Sequence, residues 1–177
     1  MTTTNIHSNM SQFMKTLDKR PSLLLSEVKA EINTFIQFLE TCYVSETDDL
    51  REKANDIITG GYGHQFKIRA YFETLIIKED NQSDKIKYEE CRDSKTGPSR
   101  FINIFGEIKN QIANFEIQQI LDKSKIGHNS PELLVELLQL SEKNKKQFII
   151  NNTYIYNNII NDIIMMLVNM INILKTI

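Results

Sequence analysis

The sequence contains no tryptophan and has only two cysteines, three prolines and six glycines among its 177 residues. Cys42 and Cys91 are too few for a disulfide framework or a thiolate metal cluster, so a reducing compartment is expected. Six glycines and three prolines make nine residues in all, which is too few for a flexible or low-complexity chain. The composition therefore favours a folded domain with few interruptions.

Neither sign of charge is in clear excess. The chain carries 21 Lys and Arg residues against 23 Asp and Glu residues, a formal net charge of −2. A protein that binds nucleic acid usually shows a basic excess or stripe. The longest basic run here, residues 143–146 (KNKK), is typical of a solvated helix face. Nucleic acid is therefore not the expected partner.

The first 13 residues contain neither a basic segment nor the apolar run of a classical secretory signal. We therefore expect a cytoplasmic protein, or one exported by a specialised secretion system without a cleaved signal peptide. The abundance of isoleucine and asparagine indicates an AT-rich bacterial or viral genome.

Residues that could carry chemistry are sparse and scattered. The three histidines, His7, His64 and His128, lie in separate segments, and no H-E-x-x-H or E-x-x-H element is present. Paired ligands at helical spacing are what a zinc or di-iron bundle requires. We therefore predict no cofactor, no metal site and no catalytic residues.

Helical periodicity is the main signal that is present. Residues 1–7 read as a disordered tail, and residues 8–177 as a single helical domain. A short amphipathic helix is predicted over 8–18, ending before Pro21. A longer helix follows Pro21, with an apolar stripe at Leu24, Val28, Ile32, Phe35, Leu39 and Cys42.

The glycine-rich stretch 60–63 (GGYG) raises the question of a ligand site. Ser45–Asp48 resembles a capping box, which predicts a helix over 47–59 that stops at Gly60. The spacing G-G-x-G matches no phosphate-binding loop, so a sharp turn is predicted. If the turn binds a ligand, its polar residues would be His64, Lys67 and Arg69.

Residues 66–92 allow two predictions. The pattern in 66–78 fits a helix, followed by an exposed loop through 79–97. It also fits a strand that pairs with residues 84–90 as a β-hairpin. Further on, Pro98 or Ser99 is predicted to open a long helix, and Gly127, Ser130 and Pro131 mark the boundary to the next one.

The C-terminal segment 147–174 is strongly apolar and carries one charge, Asp162. Its seven asparagines argue against a membrane span. As a helix it carries two adjacent apolar rows, so most of its circumference must be buried. Three locations stay open: the centre of the chain's own bundle, the interface with another subunit or protein, and a membrane interface.

The sequence thus predicts a mainly α, single-domain bundle of five to seven helices, with a β-hairpin within 66–92 as the alternative for that segment. The predicted function is a non-catalytic protein-binding module, such as an adaptor, chaperone, assembly subunit or host-directed effector. Its partner would be another protein or a second copy. The alternative is a small enzyme acting on a nucleotide or RNA through the turn 60–69. The predicted partner-binding residues are Met10, Phe13, Met14, Leu17, Ile159, Ile163, Met166, Met170 and Ile173.

Overall fold

The structure, a computed structural model, describes residues 11–94, 98–126 and 131–177. The predictions for residues 1–7, Met10, His128 and the boundary at 127–130 lie outside these ranges. Within them the chain forms helices and no strands. The helices are α1 (11–16), α2 (Pro21–Glu40), α3 (Leu50–Lys78), α4 (Gln82–Arg92), α5 (Pro98–Ile126) and α6 (Pro131–Leu174). The predicted bundle of five to seven helices is confirmed, and the β-hairpin is wrong.

Helix α3 lies at the centre of the bundle and packs against α2, α4 and α5. The stripe predicted for α2 is buried from Leu24 to Leu39. It meets the buried face of α3, which includes Ala54, Ile57 and Phe72. Burial of apolar side chains on both helices supplies the main stabilising term for the bundle.

The predicted turn at 60–63 is wrong, because α3 runs through it without a break. No glycine in the described ranges has a positive φ. The buried positions of α3 keep one helical register across the glycines: Leu50, Ala54, Ile57, Gly61, Gln65, Ile68, Phe72 and Leu75. Gly60 instead allows α2 and α3 to pack closely, since a Cβ there would lie 2.5 Å from the Phe38 ring.

Helix α3 begins later than predicted. Its N-cap is Asp49, whose side chain accepts hydrogen bonds from the backbone N–H groups of Arg51 and Glu52.

Residues 82–92 form helix α4 rather than a strand or an exposed loop. Asn81 caps this helix by accepting a hydrogen bond from the Asp84 N–H at 3.1 Å. Tyr88 and Cys91, three residues apart, are both buried. A side-chain cap and an apolar i, i+3 pair are enough to fix a short helix against a larger body.

Helices α5 and α6 form an antiparallel hairpin. Phe105 contacts Tyr156 edge-on at a centroid distance of 5.2 Å, and Phe115 stacks on Phe148 at 3.9 Å. Further along the hairpin, Ser141 Oγ donates a hydrogen bond to Gln119 Oε1. The Arg51–Glu116 ion pair places the start of α3 beside Glu116.

Beyond this point α3 no longer lies beside α5. We call residues 117–126 of α5 and 131–147 of α6 the arm. With a rise of 1.5 Å per residue, its two helices are about 15 Å and about 25 Å long.

The C-terminal part of α6 packs into the bundle. Its buried side chains form one stripe that includes residues from both predicted rows. The stripe consists of Tyr156, Ile160, Ile163, Leu167, Met170 and Leu174. By length and composition alone, Leu138–Leu174 is also apolar enough to cross a membrane, with a mean hydropathy of 1.3. Within the bundle the stripe is covered by α2, α4 and α5.

Candidate protein-binding surface

The predicted partner-binding residues on α6 are largely used inside the chain. Ile163 and Met170 are buried in the core, whereas Ile159 and Ile173 are partly buried against it. Met166 has intermediate exposure. Side chains that already pack on their own bundle offer little surface to a partner, so a free binding surface must lie elsewhere on the molecule.

Helix α1 is anchored at the end of the bundle opposite the arm. Phe13 is buried, and its ring meets Tyr71 edge-on at 5.2 Å. Leu17 packs against the core, and Lys78 Nζ donates hydrogen bonds to the Leu17 and Lys19 carbonyls at 2.8 and 3.1 Å. Among the members of the predicted set that the structure describes, Met14 is exposed, at 57%. One exposed methionine is normal on a protein surface and does not mark a site.

The alternative ligand residues do not converge. His64 Nδ1 donates a hydrogen bond to Glu31 Oε1 at 2.7 Å, and its ring stacks on Phe35. Arg69 pairs with Glu73 along the exposed side of α3 at 3.2 Å. Lys67 shares the His64 side of the helix, but Arg69 lies two residues further on and points elsewhere. The three side chains therefore form no common site. The activity on a nucleotide or RNA stays a prediction.

Asparagines of α6 hold the loop between α2 and α3. The Asn157 amide accepts from the Val44 N–H and donates to the Val44 carbonyl, both at 2.9 Å. Asn161 Oδ1 accepts from the Tyr43 hydroxyl at 2.5 Å. Two of the asparagines that argued against a membrane span therefore fix α6 to the bundle.

The arm carries large apolar side chains that its own chain leaves exposed. Ile117 is 55% exposed on α5, and Val135 and Leu140 are 54% and 52% exposed on α6. Leu138 is also exposed. A single exposed leucine needs no explanation, but several on one short helical pair form the kind of surface that partners cover.

A groove of about 460 Å³ lies at the base of the arm, between the start of α3, α5 and α6. Its apolar lining includes Leu50, Ile112 and the stacked pair Phe115 and Phe148. Its charged lining residues are Asp48, Asp49, Glu116 and Lys145. A second depression beside it adds Glu46, Glu142 and Lys146. A lining that combines apolar and charged side chains is common in protein-binding grooves.

The thiol and hydroxyl groups whose pKa is raised by burial lie in or against the core rather than at the groove. Burial raises the pKa of the Cys91 thiol to about 11 and that of the Tyr88 hydroxyl to about 12. Burial also raises the pKa of Tyr156, whose hydroxyl donates to the Lys53 carbonyl at 3.1 Å. These groups are held neutral, and a neutral buried thiol is a poor nucleophile.

Periodicity in the sequence did not reveal the arm or the groove. In the sequence, Phe115 and Leu50 are ordinary apolar positions, and no motif marks them as lining a groove. The available signal was the length of α6, which has 44 residues against 29 in α3 and 20 in α2. Helices longer than their neighbours must extend past the end of the shared core.

Comparisons with protein-family models, with curated proteins and with solved structures find no match for this chain.

Proposed function

We propose that this chain is a non-catalytic protein-binding module and that the arm, with the groove at its base, is its contact surface. The observation that carries this proposal is the exposure of Ile117, Val135 and Leu140 on a helical pair that extends past the bundle. Their burial against a partner would contribute roughly 25 cal/mol for each Å² of apolar surface removed from water.

The chemistry of this surface defines the partner. The arm is helical and apolar on more than one side, and the groove is lined by apolar side chains together with Asp48, Asp49 and Lys145. A partner with an amphipathic helix would place its apolar face on the apolar lining and its charged edges beside the charged residues. This supports a helical protein segment as the bound element.

Site-specific photo-crosslinking tests the proposal. A photoreactive phenylalanine analogue replaces Leu140 on the arm, and in a matched variant it replaces Ile77, which is 81% exposed at the opposite end of α3. Both proteins are expressed in the cells that produce the chain naturally. We expect discrete adducts from position 140 and none from position 77, identified by mass spectrometry.

A second variant tests whether the adducts at position 140 depend on a partner that contacts the surface of the arm. Ile117→Glu places a charge on the outer side of α5 without touching the core, so the fold should be retained by circular dichroism. We expect it to reduce the position-140 adducts strongly. Equal adducts at positions 140 and 77, or no adducts at either, would contradict the proposal.

A further inference from the structure

A small pocket lies where α3, α4 and α6 meet, and it shares no residue with the groove at the base of the arm. Its volume is about 10 Å³, which is room for about one water-sized group. Ile68, Phe72 and Met170 supply the apolar part of its lining. The rest of the lining is an amide, a thiol and two guanidinium groups, so the pocket combines a dry surface with several hydrogen-bond donors.

The amide belongs to Gln65, a polar side chain that is almost completely buried. Gln65 is 2% exposed, and its Nε2 has no hydrogen-bond partner in the part of the chain that the structure describes. The neighbouring Ile68 and Phe72 side chains carry no acceptor atom. A side-chain amide has two N–H donors, and buried donors in native proteins are almost always paired. The Gln65 amide therefore points to a ligand that supplies an acceptor atom.

The two guanidinium groups come from different helices. Arg69 follows Gln65 by about one turn of α3, and Arg92 is the last residue of α4. Arg69 donates a hydrogen bond through Nε to Glu73 at 3.2 Å. Arg92 donates through Nε and Nη2 to Asp93 at 3.0 and 3.4 Å. These bonds hold both groups in place and leave the terminal nitrogens of Arg69 and Nη1 of Arg92 able to donate to a ligand.

The charge of the lining selects the ligand further. Among the described residues, the lining carries two positive charges and no carboxylate. Burial raises the pKa of the Cys91 thiol to about 11, so this group is neutral near neutral pH and does not repel an anion. Hydrogen bonds from a guanidinium group to an anion are stronger than those to a neutral acceptor. The acceptor that fits this lining is therefore part of an anion.

We infer that this pocket binds one carboxylate group, with one oxygen on the Gln65 amide and the other on the guanidinium groups of Arg69 and Arg92. A planar carboxylate is the anion whose two oxygens match guanidinium donors. One oxygen takes up the available space, so the rest of the ligand extends outward. The carboxylate belongs either to a free small acid or to an acidic side chain of another protein. The inference does not rest on the proposed function, because the pocket is separate from the arm and the groove.

Solution NMR on the nitrogen-15-labelled full chain tests the inference, with sodium acetate as the probe. The side-chain amide signals of Gln65 are those that the Gln65→Met variant lacks. Near neutral pH we expect them to shift saturably as acetate is added. The side-chain amide of Gln37, which is exposed, should not shift. A parallel titration with sodium chloride to the same ionic strength controls for a general salt effect.

Three further variants test the donors. Arg69→Gln and Arg92→Gln should each weaken acetate binding about threefold or more, because each removes charge-assisted hydrogen bonds. Lys67→Gln is the matched control, since it removes the same charge from α3 but does not line the pocket. It should bind acetate as the wild type does. Circular dichroism checks that each variant is folded.

Two results would overturn the inference. One is a set of Gln65 signals that acetate moves no more than those of Gln37, and the other is an equal shift with chloride. A short peptide with blocked ends and a single glutamate then assigns the source of the carboxylate. Shifts with the peptide as well as with acetate support an acidic side chain of a protein, and shifts with acetate alone support a free small acid. The photo-crosslinks of the arm are measured separately, so the failure of either proposal leaves the other standing.

Discussion

At the scale of the single residue, Gly60 sets how closely α2 and α3 approach. A Cβ at this position would lie 2.5 and 2.7 Å from atoms of the Phe38 ring. That ring stands beside Phe35 at 6.4 Å and His64 at 5.6 Å between centroids. The ring therefore has little freedom to move away from an added methyl group.

We predict opposite effects for two alanine substitutions in α3. Gly60→Ala should lower the free energy of unfolding by about 1–2 kcal/mol, because it overpacks the Phe38 site. Gly63→Ala should raise it by roughly 0.5–1 kcal/mol, because a Cβ there meets nothing within 4 Å and alanine favours the helix. Urea unfolding measures both values. In a Phe38→Ala background, Gly60→Ala should lose its penalty, and a persistent penalty would contradict the packing role.

Cys91 gives a prediction about alkaline pH. Burial raises its pKa from 9.0 to about 11, so the folded state favours the neutral thiol. The resulting stability is complete below pH 9 and is lost as the pH rises towards 11. The wild type should therefore lose more stability than Cys91→Ala between about pH 8 and about pH 10.5. Equal losses in urea midpoint for the two proteins would show that Cys91 does not contribute.

At the scale of the element, the asparagines of α6 act as fixed contacts rather than as solvated surface. Asn157→Ala would leave the Val44 N–H and carbonyl without their partner. We expect a loss of about 2 kcal/mol in the free energy of unfolding. Asn158→Ala is the matched control, since Asn158 is exposed and should change stability by less than roughly 0.5 kcal/mol. Similar effects of both substitutions on thermal or urea unfolding would refute the role of Asn157.

Elements fixed by local signals were predictable from the sequence. The stripe of α2 and the start of α6 at Pro131 follow from periodicity and from proline chemistry, which are properties of neighbouring residues. The continuity of α3 was missed because Gly60 and Gly63 resemble a helix stop. Close contact between Gly60 and Phe38 depends on a residue 22 positions away. The arm was missed for the same reason, since it depends on where α3 begins relative to α5.

At the scale of the whole molecule, α6 belongs to two environments. Residues 153–174 pack their buried stripe on the bundle, whereas residues 142–147 are exposed throughout. Amide hydrogens in 135–147 should therefore exchange with solvent faster than those in 153–174, because the arm opens locally at a smaller free-energy cost. Exchange mass spectrometry on dilute protein measures this. Equal protection along the whole helix would show that the arm is as well packed as the bundle.

The length of α6 has a mechanical consequence. Its 44 residues contain no glycine or proline after Pro131, so the helix has none of the usual sites for a kink. The contacts of Asn157 and Asn161 with the loop at 43–44 fix the helix about 39 Å from Pro131. A tilt of about 5° around that point displaces the far end by about 3 Å. A force on the N-terminal end of α6 therefore acts as a torque on the residues that pack in the middle of the core.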